Sequence, residues 1–141
     1  MKASLVALLL ALLLALLSHL APAFAETPKS TDAPPVVQQE FDGFIKKFRT
    51  ALKADDSAAV ASMTQLPFMA DASISDASAF RAKIYSGDFT ARNRKCIQRG
   101  KAVYARDGAN KDSYFIFCGD LIFTFTRTAQ GFLLSEIGMN D

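Results

Sequence analysis

Carboxylates and tyrosines are the side chains from which this sequence could build chemistry. Its one histidine, His19, lies in the apolar stretch at the start of the chain and leaves with that stretch if it is cleaved as argued below. A Ser-His-Asp or Cys-His mechanism then lacks its base. Cys96 and Cys118 are the only cysteines. Once they pair with each other, a zinc site loses both of its favoured ligand types and no thiol nucleophile is left. There is no Cys-x-x-Cys spacing, no glycine-rich loop to cradle phosphate, and no alternate spacing of aspartates of the kind a calcium loop needs. Neither a metal nor a cofactor is therefore expected. What remains is proton transfer between a carboxylate in an apolar setting, which favours the protonated form, and a phenol that donates a hydrogen bond. Glu136 with Tyr104 or Tyr114 would fill those roles if the chain is an enzyme. Glu136 also lies near a strand end, where a carboxylate more often reaches solvent or pairs with Arg127, and the non-catalytic reading is preferred.

Placing these residues requires helices first and strands second. From Val36 to Lys53 the apolar residues Val37, Phe41, Phe44, Ile45, Phe48 and Leu52 fall on one face of a 3.6-residue period. Asp55 or Asp56 can cap a second, shorter helix through Met63, which must stop before Pro67. Ser75 or Asp76 can start a third, carrying Phe80 and Ile84, with Gly87 placed to end it. After Arg92 the pattern reads as period two. The expected strands are Arg94 to Arg99, Lys101 to Arg106, Ser113 to Cys118, Leu121 to Arg127 and Phe132 to Ile137, separated by glycine-containing turns. A two-residue turn at Gly119-Asp120 sets Cys118 against Leu121, Ile116 against Phe123 and Tyr114 against Phe125. Tyr104 falls opposite Tyr114. A turn at Ala129-Gln130 would add Phe132, Leu134 and Glu136 to the same, nearly all-apolar face. The other face mixes Phe115, Phe117, Ile122, Leu133 and Ile137 with Thr124, Thr126 and Ser135, and could be covered by a second subunit.

The start of the chain bears on compartment. Lys2 precedes an uninterrupted Leu/Ala/Val run from Leu5 to Leu17, and Ala23-Phe24-Ala25 places small residues where a signal peptidase inspects them. Residues 1–25 read as a signal peptide, and that run falls short of the roughly 20 residues a membrane-crossing helix needs. Residues 26–35 read as a flexible, proline-rich leader and residues 36–141 as a single domain. An even pair of cysteines in an exported chain is most simply a disulfide, so a periplasmic or secreted protein is expected. Without Lys2 the chain holds 15 Lys and Arg against 14 Asp and Glu, a balance that gives no general attraction to nucleic acid or acidic membranes. Basic residues cluster between Arg81 and Lys111, where only Asp88 and Asp107 oppose them. A solvated sheet edge or a surface for an anionic partner would each account for that cluster.

The run from Phe44 through Asp56, then Leu66-Pro67-Phe68, Ala79-Phe80, Ile84-Tyr85, Gly119-Asp120-Leu121-Ile122-Phe123 and Gly131-Phe132-Leu133-Leu134-Ser135-Glu136-Ile137, resembles exported members of the nuclear transport factor 2-like (SnoaL-like, cystatin-like fold) superfamily. The resemblance implies an α+β cone, with N-terminal helices packed on a curved antiparallel sheet. It also implies a conical pocket between helices and sheet, which Tyr85, Tyr104, Tyr114, Phe123 and Phe125 would line, and a convex face that in such folds often makes dimers. The superfamily includes isomerases, dehydratases, transport factors and domains without chemistry, and fold alone does not transfer function. Three readings follow: a non-catalytic binding domain, open to homodimer formation, for a small apolar ligand or a protein partner; a small acid–base isomerase or dehydratase; and an inhibitor or accessory protein that docks through the basic segment.

Overall fold

The computed structural model of the chain describes residues 32–106 and 109–140. The expected signal peptide and the first part of the expected leader, residues 26–31, lie outside the described residues. Helix α1, Pro35–Lys53, begins with a proline whose fixed φ suits the first helical turn. Its predicted stripe faces inward: Val37, Phe41, Ile45, Phe48 and Leu52 are buried, joined by Ala51, and Phe44 is half-buried. Asp56 caps α2, Ser57–Ser62, by accepting a hydrogen bond from the Ala59 N–H at 2.9 Å. The chain then runs beside the sheet, where the Gln65 N–H donates to the Leu134 carbonyl and the Leu134 N–H donates to the Met63 carbonyl. A cis Leu66-Pro67 bond follows. Asp76 caps α3, Ala77–Phe80, which continues through a wider π-helical turn, Arg81–Tyr85, into α4, Ser86–Asp88.

The next element corrects the sequence reading. Residues Arg94 to Arg99, expected as a strand, belong to helix α5, Ala91–Arg99. Thr90 caps it by accepting from the Asn93 N–H at 3.2 Å, and Arg, Lys and Gln carry better helix than strand propensity. Ile97 is its buried residue, a demand that one helical face meets as easily as a strand. The described sheet therefore has four strands: β1 Val103–Arg106, β2 Asp112–Cys118, β3 Leu121–Thr128 and β4 Gly131–Met139, in the antiparallel order β1-β2-β3-β4. Tyr104 lies opposite Tyr114, Tyr114 opposite Phe125, Ile116 opposite Phe123 and Cys118 opposite Leu121, which is the expected register. Helices on an open antiparallel sheet make the chain α+β.

The register shifts between Thr124 and Phe125, where β4 carries an extra residue. Phe125 faces Leu134, but Thr124 faces Glu136. A one-residue slip exchanges sheet faces, so Ile137 turns inward to the core and Glu136 turns outward, exposed. The expected place of Glu136 on the apolar face is thus overturned. Ser135 holds the irregularity, donating to the Thr124 carbonyl at 3.2 Å and lying 2.8 Å from the Thr126 hydroxyl.

Rings from every layer fill the space between α1 and the sheet. Phe41 stacks on Tyr114 with centroids 3.7 Å apart, Phe48 meets Phe125 edge-on at 5.1 Å, and Phe89 joins Phe123 at 5.3 Å. The Cys96–Cys118 disulfide ties α5 to the end of β2. Gly100, where the chain turns from α5 toward β1, is needed for close approach: an added Cβ would lie 2.6 Å from Ile116 Cγ2 and 3.0 Å from the Cys96 carbonyl oxygen. Gly100→Ala is accordingly expected to destabilise the fold by about 1–3 kcal/mol, read from the midpoint of urea unfolding.

Candidate functional site

Strand alternation gathers a charged cluster at one end of the sheet. Arg106 of β1 pairs with Asp112 of β2, and β3 brings Arg127 beside them. The Asp112 carboxylate accepts from the Tyr104 hydroxyl at 2.7 Å and from Arg106 Nε at 3.2 Å, and Arg127 Nη1 lies 3.5 Å from its second oxygen. Arg127 also grips Glu40 of α1 through two parallel hydrogen bonds of 2.7 and 2.8 Å, the geometry for which a guanidinium is built. Helix and sheet are thereby clamped together. Burial alone would push the Asp112 carboxyl up. Hydrogen bonds from Tyr104 and Arg106, with the charges of Arg106 and Arg127, outweigh burial and hold it below its ordinary value of 3.8. The hydrogen bond from Arg127 likewise lowers Glu40, while burial, then the bond to Asp112, raises the Tyr104 phenol.

Asp112 is nearly buried, whereas Arg106 and Arg127 keep much of their surface in water. The hydrogen bonds therefore matter more than the screened ion pairs. Because the folded-state value is the lower one, unfolding takes up a proton. The stabilisation is complete above the ordinary value of 3.8 and is lost as the pH falls through the depressed one. Asp112→Asn is expected to cost about 1–3 kcal/mol at neutral pH. Its stability should then fall less steeply than that of the unsubstituted protein below about pH 4, in parallel urea titrations across that range.

A groove of about 910 Å³ opens beside this cluster, between α1 and the β3–β4 hairpin. Phe44, Met63, Phe132 and Leu133 give it apolar wall, Lys47, Arg127 and Gln130 give it a polar rim, and Gly43 leaves part of the α1 side bare. A Cβ at Gly43 would meet nothing within 4 Å. None of the five expected pocket residues lines this groove. Tyr114, Phe123 and Phe125 are core side chains at 0–2 % exposure. The Tyr114 hydroxyl donates to Gln38 Oε1 at 2.8 Å, and burial pushes the phenol up to about 12. Tyr85 is buried against Phe89, and its hydroxyl donates to Asp55 at 2.6 Å, while Arg94 pairs with the same carboxylate at 3.1 Å. Burial, then that hydrogen bond, raises Tyr85 to about 12. Tyr104 is half-buried at the sheet edge, 5.4 Å from Tyr114 between ring centroids.

Tyr104, Tyr114 and Phe125 thus form one row across the sheet, Tyr85 and Phe123 meet through Phe89, and Glu136 stands apart on the other face. Sequence reasoning missed Asp112, Glu40 and Gly43; of its two alternatives for Glu136, solvent or a pair with Arg127, the residue takes the first, and Arg127 pairs with Glu40. The Tyr104–Tyr114 pairing could have found Asp112, since counting outward along the two strands sets Arg106 opposite it. Among the described residues, no group of three or more His, Cys, Asp or Glu is placed to hold a metal ion, and no helix is long and apolar enough to cross a membrane. Comparison with family models, with curated proteins and with solved structures finds no match to this chain.

Proposed function

We propose that the chain is an exported binding domain without chemistry of its own, which holds a small ligand with an apolar body and a polar end in the groove between α1 and the β3–β4 hairpin. The observation that carries this reading is the open groove beside the ring-packed core. Tyr114, Phe123 and Phe125 are buried in that core, and every buried side-chain nitrogen and oxygen among the described residues has a partner. The groove, by contrast, offers apolar wall and polar rim in a volume suited to a small molecule. Export is supported by the pattern of residues 1–25 and by a disulfide of the kind that persists in oxidising compartments. Membership of the nuclear transport factor 2-like superfamily is proposed on the same footing, supported by helices that precede an antiparallel meander. An acid–base mechanism would need a carboxylate free to exchange protons. Asp112 lines the groove and touches Tyr104, yet arginines on either side keep it ionised and occupied, which makes it a weak base.

Gly43 gives a clean test, because a side chain there grows into the groove without displacing anything. Gly43→Ala should raise stability by about 0.5–1 kcal/mol, as a helix-interior glycine is relieved. Gly43→Phe should keep the near-ultraviolet circular dichroism of the folded protein while filling the groove. The probe is anilinonaphthalene sulfonate, an apolar body with an anionic end. Saturable binding by the unsubstituted protein that disappears in Gly43→Phe supports the proposal; equal binding by both proteins refutes it.

A further inference from the structure

We infer that the groove selects a small apolar molecule whose polar end is an oxyanion, and that Lys47 of α1 is the residue that meets it. This rests on the groove being the binding site proposed above, and adds the sign of the ligand's charge, the place of its polar end and the group that holds it. Glu40, Gly43, Phe44 and Lys47 all line the groove. They follow one another at i, i+3, i+4 and i+7 along α1, and so form one stripe of that helix. The two charged ends of the stripe stand about 10 Å apart at the usual helical rise. Glu40 is engaged, whereas Lys47 is not.

At the Glu40 end the charges are matched. Arg127 donates Nε and Nη2 to the Glu40 carboxylate at 2.7 and 2.8 Å, and its Nη1 lies 3.5 Å from Asp112. Asp112 is also held by Arg106 and by the Tyr104 hydroxyl. An anion brought to Arg127 would meet two carboxylates already on the same guanidinium, and like charges at that range repel. A cation would have to displace Arg127 from a bidentate pair. Lys111, beside Asp112, is the remaining lining cation and has an interaction of its own.

At the other end, the Lys47 side chain is exposed and takes part in none of the hydrogen bonds or ion pairs of the described residues. The carboxylates nearest to it along the chain face elsewhere or are held. Asp42 lines a separate depression with Lys46, Arg49 and Gln98 on the α5 side of α1, and accepts a hydrogen bond from Gln38. In the turn after α1, Asp55 is held by Tyr85 and Arg94, and Asp56 by the Ala59 N–H. Side chains on a helix lean toward its N-terminus, so the Lys47 stem leans toward the turn that carries Gly43. No side chain stands in its way there, since a Cβ at Gly43 would meet nothing within 4 Å. Half-buried Phe44 and Met63 supply apolar surface along the same wall. A long aliphatic stem can lie on such surface while its ammonium stays in water. A ligand whose body rests on Phe44 and Met63 therefore sets its polar end beside an ammonium that has no counter-charge, and a compact three-donor cation suits a carboxylate or a sulfonate.

The test uses two probes with one body: anilinonaphthalene sulfonate and its uncharged parent, anilinonaphthalene. Fluorescence titration of the unsubstituted protein should show the sulfonate binding about fivefold more tightly, the scale of a partly exposed ion pair. Raising the salt from about 0.05 to about 0.5 M should narrow that preference. Lys47→Met should remove it by weakening the sulfonate alone, with the unfolding midpoint little changed, and Lys47→Arg should retain most of it. Lys46→Met, a charge removal on the other side of α1, should leave both affinities as they were. Decanoate should displace the bound sulfonate where the same concentration of decanol does not. Equal affinity for the two probes, with both lost in Gly43→Phe, overturns the inference while leaving the groove as the binding site. Equal loss in Lys46→Met and Lys47→Met also overturns it, by reducing the preference to general attraction. Sulfonate binding that Gly43→Phe leaves intact removes the groove reading itself, and this inference with it.

Discussion

Phe48→Ala is expected to lower the unfolding free energy by about 3–5 kcal/mol, the range for removing a fully buried phenylalanine without complete collapse of the cavity. Phe48 has no exposed surface and sits where α1 meets both the sheet and the helices that follow. Its ring contacts Phe44 at 5.7 Å, Phe125 at 5.1 Å and Phe89 at 6.4 Å between centroids. Deleting it removes a neighbour shared by α1, β3 and the link between α4 and α5, and the edge-on contact with Phe125 adds a geometric preference to the area lost. Since domains of this size are stable by about 5–15 kcal/mol in total, the variant should be partly unfolded at modest urea concentrations. Phe48→Leu, which keeps most of the volume, should cost less than half as much. A midpoint for Phe48→Ala close to that of the unsubstituted protein, with an unchanged slope, would show that the aromatic cluster is not where the stability resides.

Local pattern and long-range contact divide what the sequence discloses from what it conceals. The face of α1 is legible because its spacing repeats over five turns, and burial of Phe41 and Phe48 against the sheet follows from that spacing alone. The β2–β3 register is legible because Gly119, at φ +69°, supplies the turn geometry that a two-residue link requires. Carrying that register into β4 fails at Ser135, whose hydroxyl contacts Thr124 and Thr126 across the sheet, a reason for a bulge that no local pattern announces. The error moves Glu136 from one face to the other and removes the acid–base candidate. Arg94 to Arg99 fails differently: six residues with one obligatory buried side chain suit a helix or a strand, and the Thr90 cap that decides between them lies outside the segment. Within the charged cluster, the Arg106–Asp112 pair is implicit in the strand pairing. The clamp between Glu40 and Arg127 spans 87 residues and depends on how α1 lies across the sheet, which residue spacing does not encode.

Removing the disulfide with Cys96→Ala/Cys118→Ala should destabilise the protein by about 3 kcal/mol, the loop-closure value for a sequence separation of 22 residues. The same substitution should also act on the folded state, through α5. At nine residues that helix is too short to persist alone, and Ile97 is its one buried residue. Besides the bridge, its fastenings are hydrogen bonds: Arg49 donates to the Ile97 and Gly100 carbonyls at 3.0 and 2.7 Å, and Gln98 donates to the Arg49 carbonyl at 2.6 Å. Arg94 adds its exposed pairing with Asp55. The Arg49 and Gln98 bonds hold the C-terminal half of α5, Asn93 and Arg94 tie its N-terminal half to the Asp88 and Phe89 carbonyls at 2.7 Å each, and Cys96 supplies the covalent tie to β2. Hydrogen exchange should therefore quicken in α5 ahead of the sheet when the bridge is absent, because a local opening has become easier than global unfolding. If instead the midpoint falls while α5 amides exchange as slowly as before, the bridge acts only by restricting the unfolded chain.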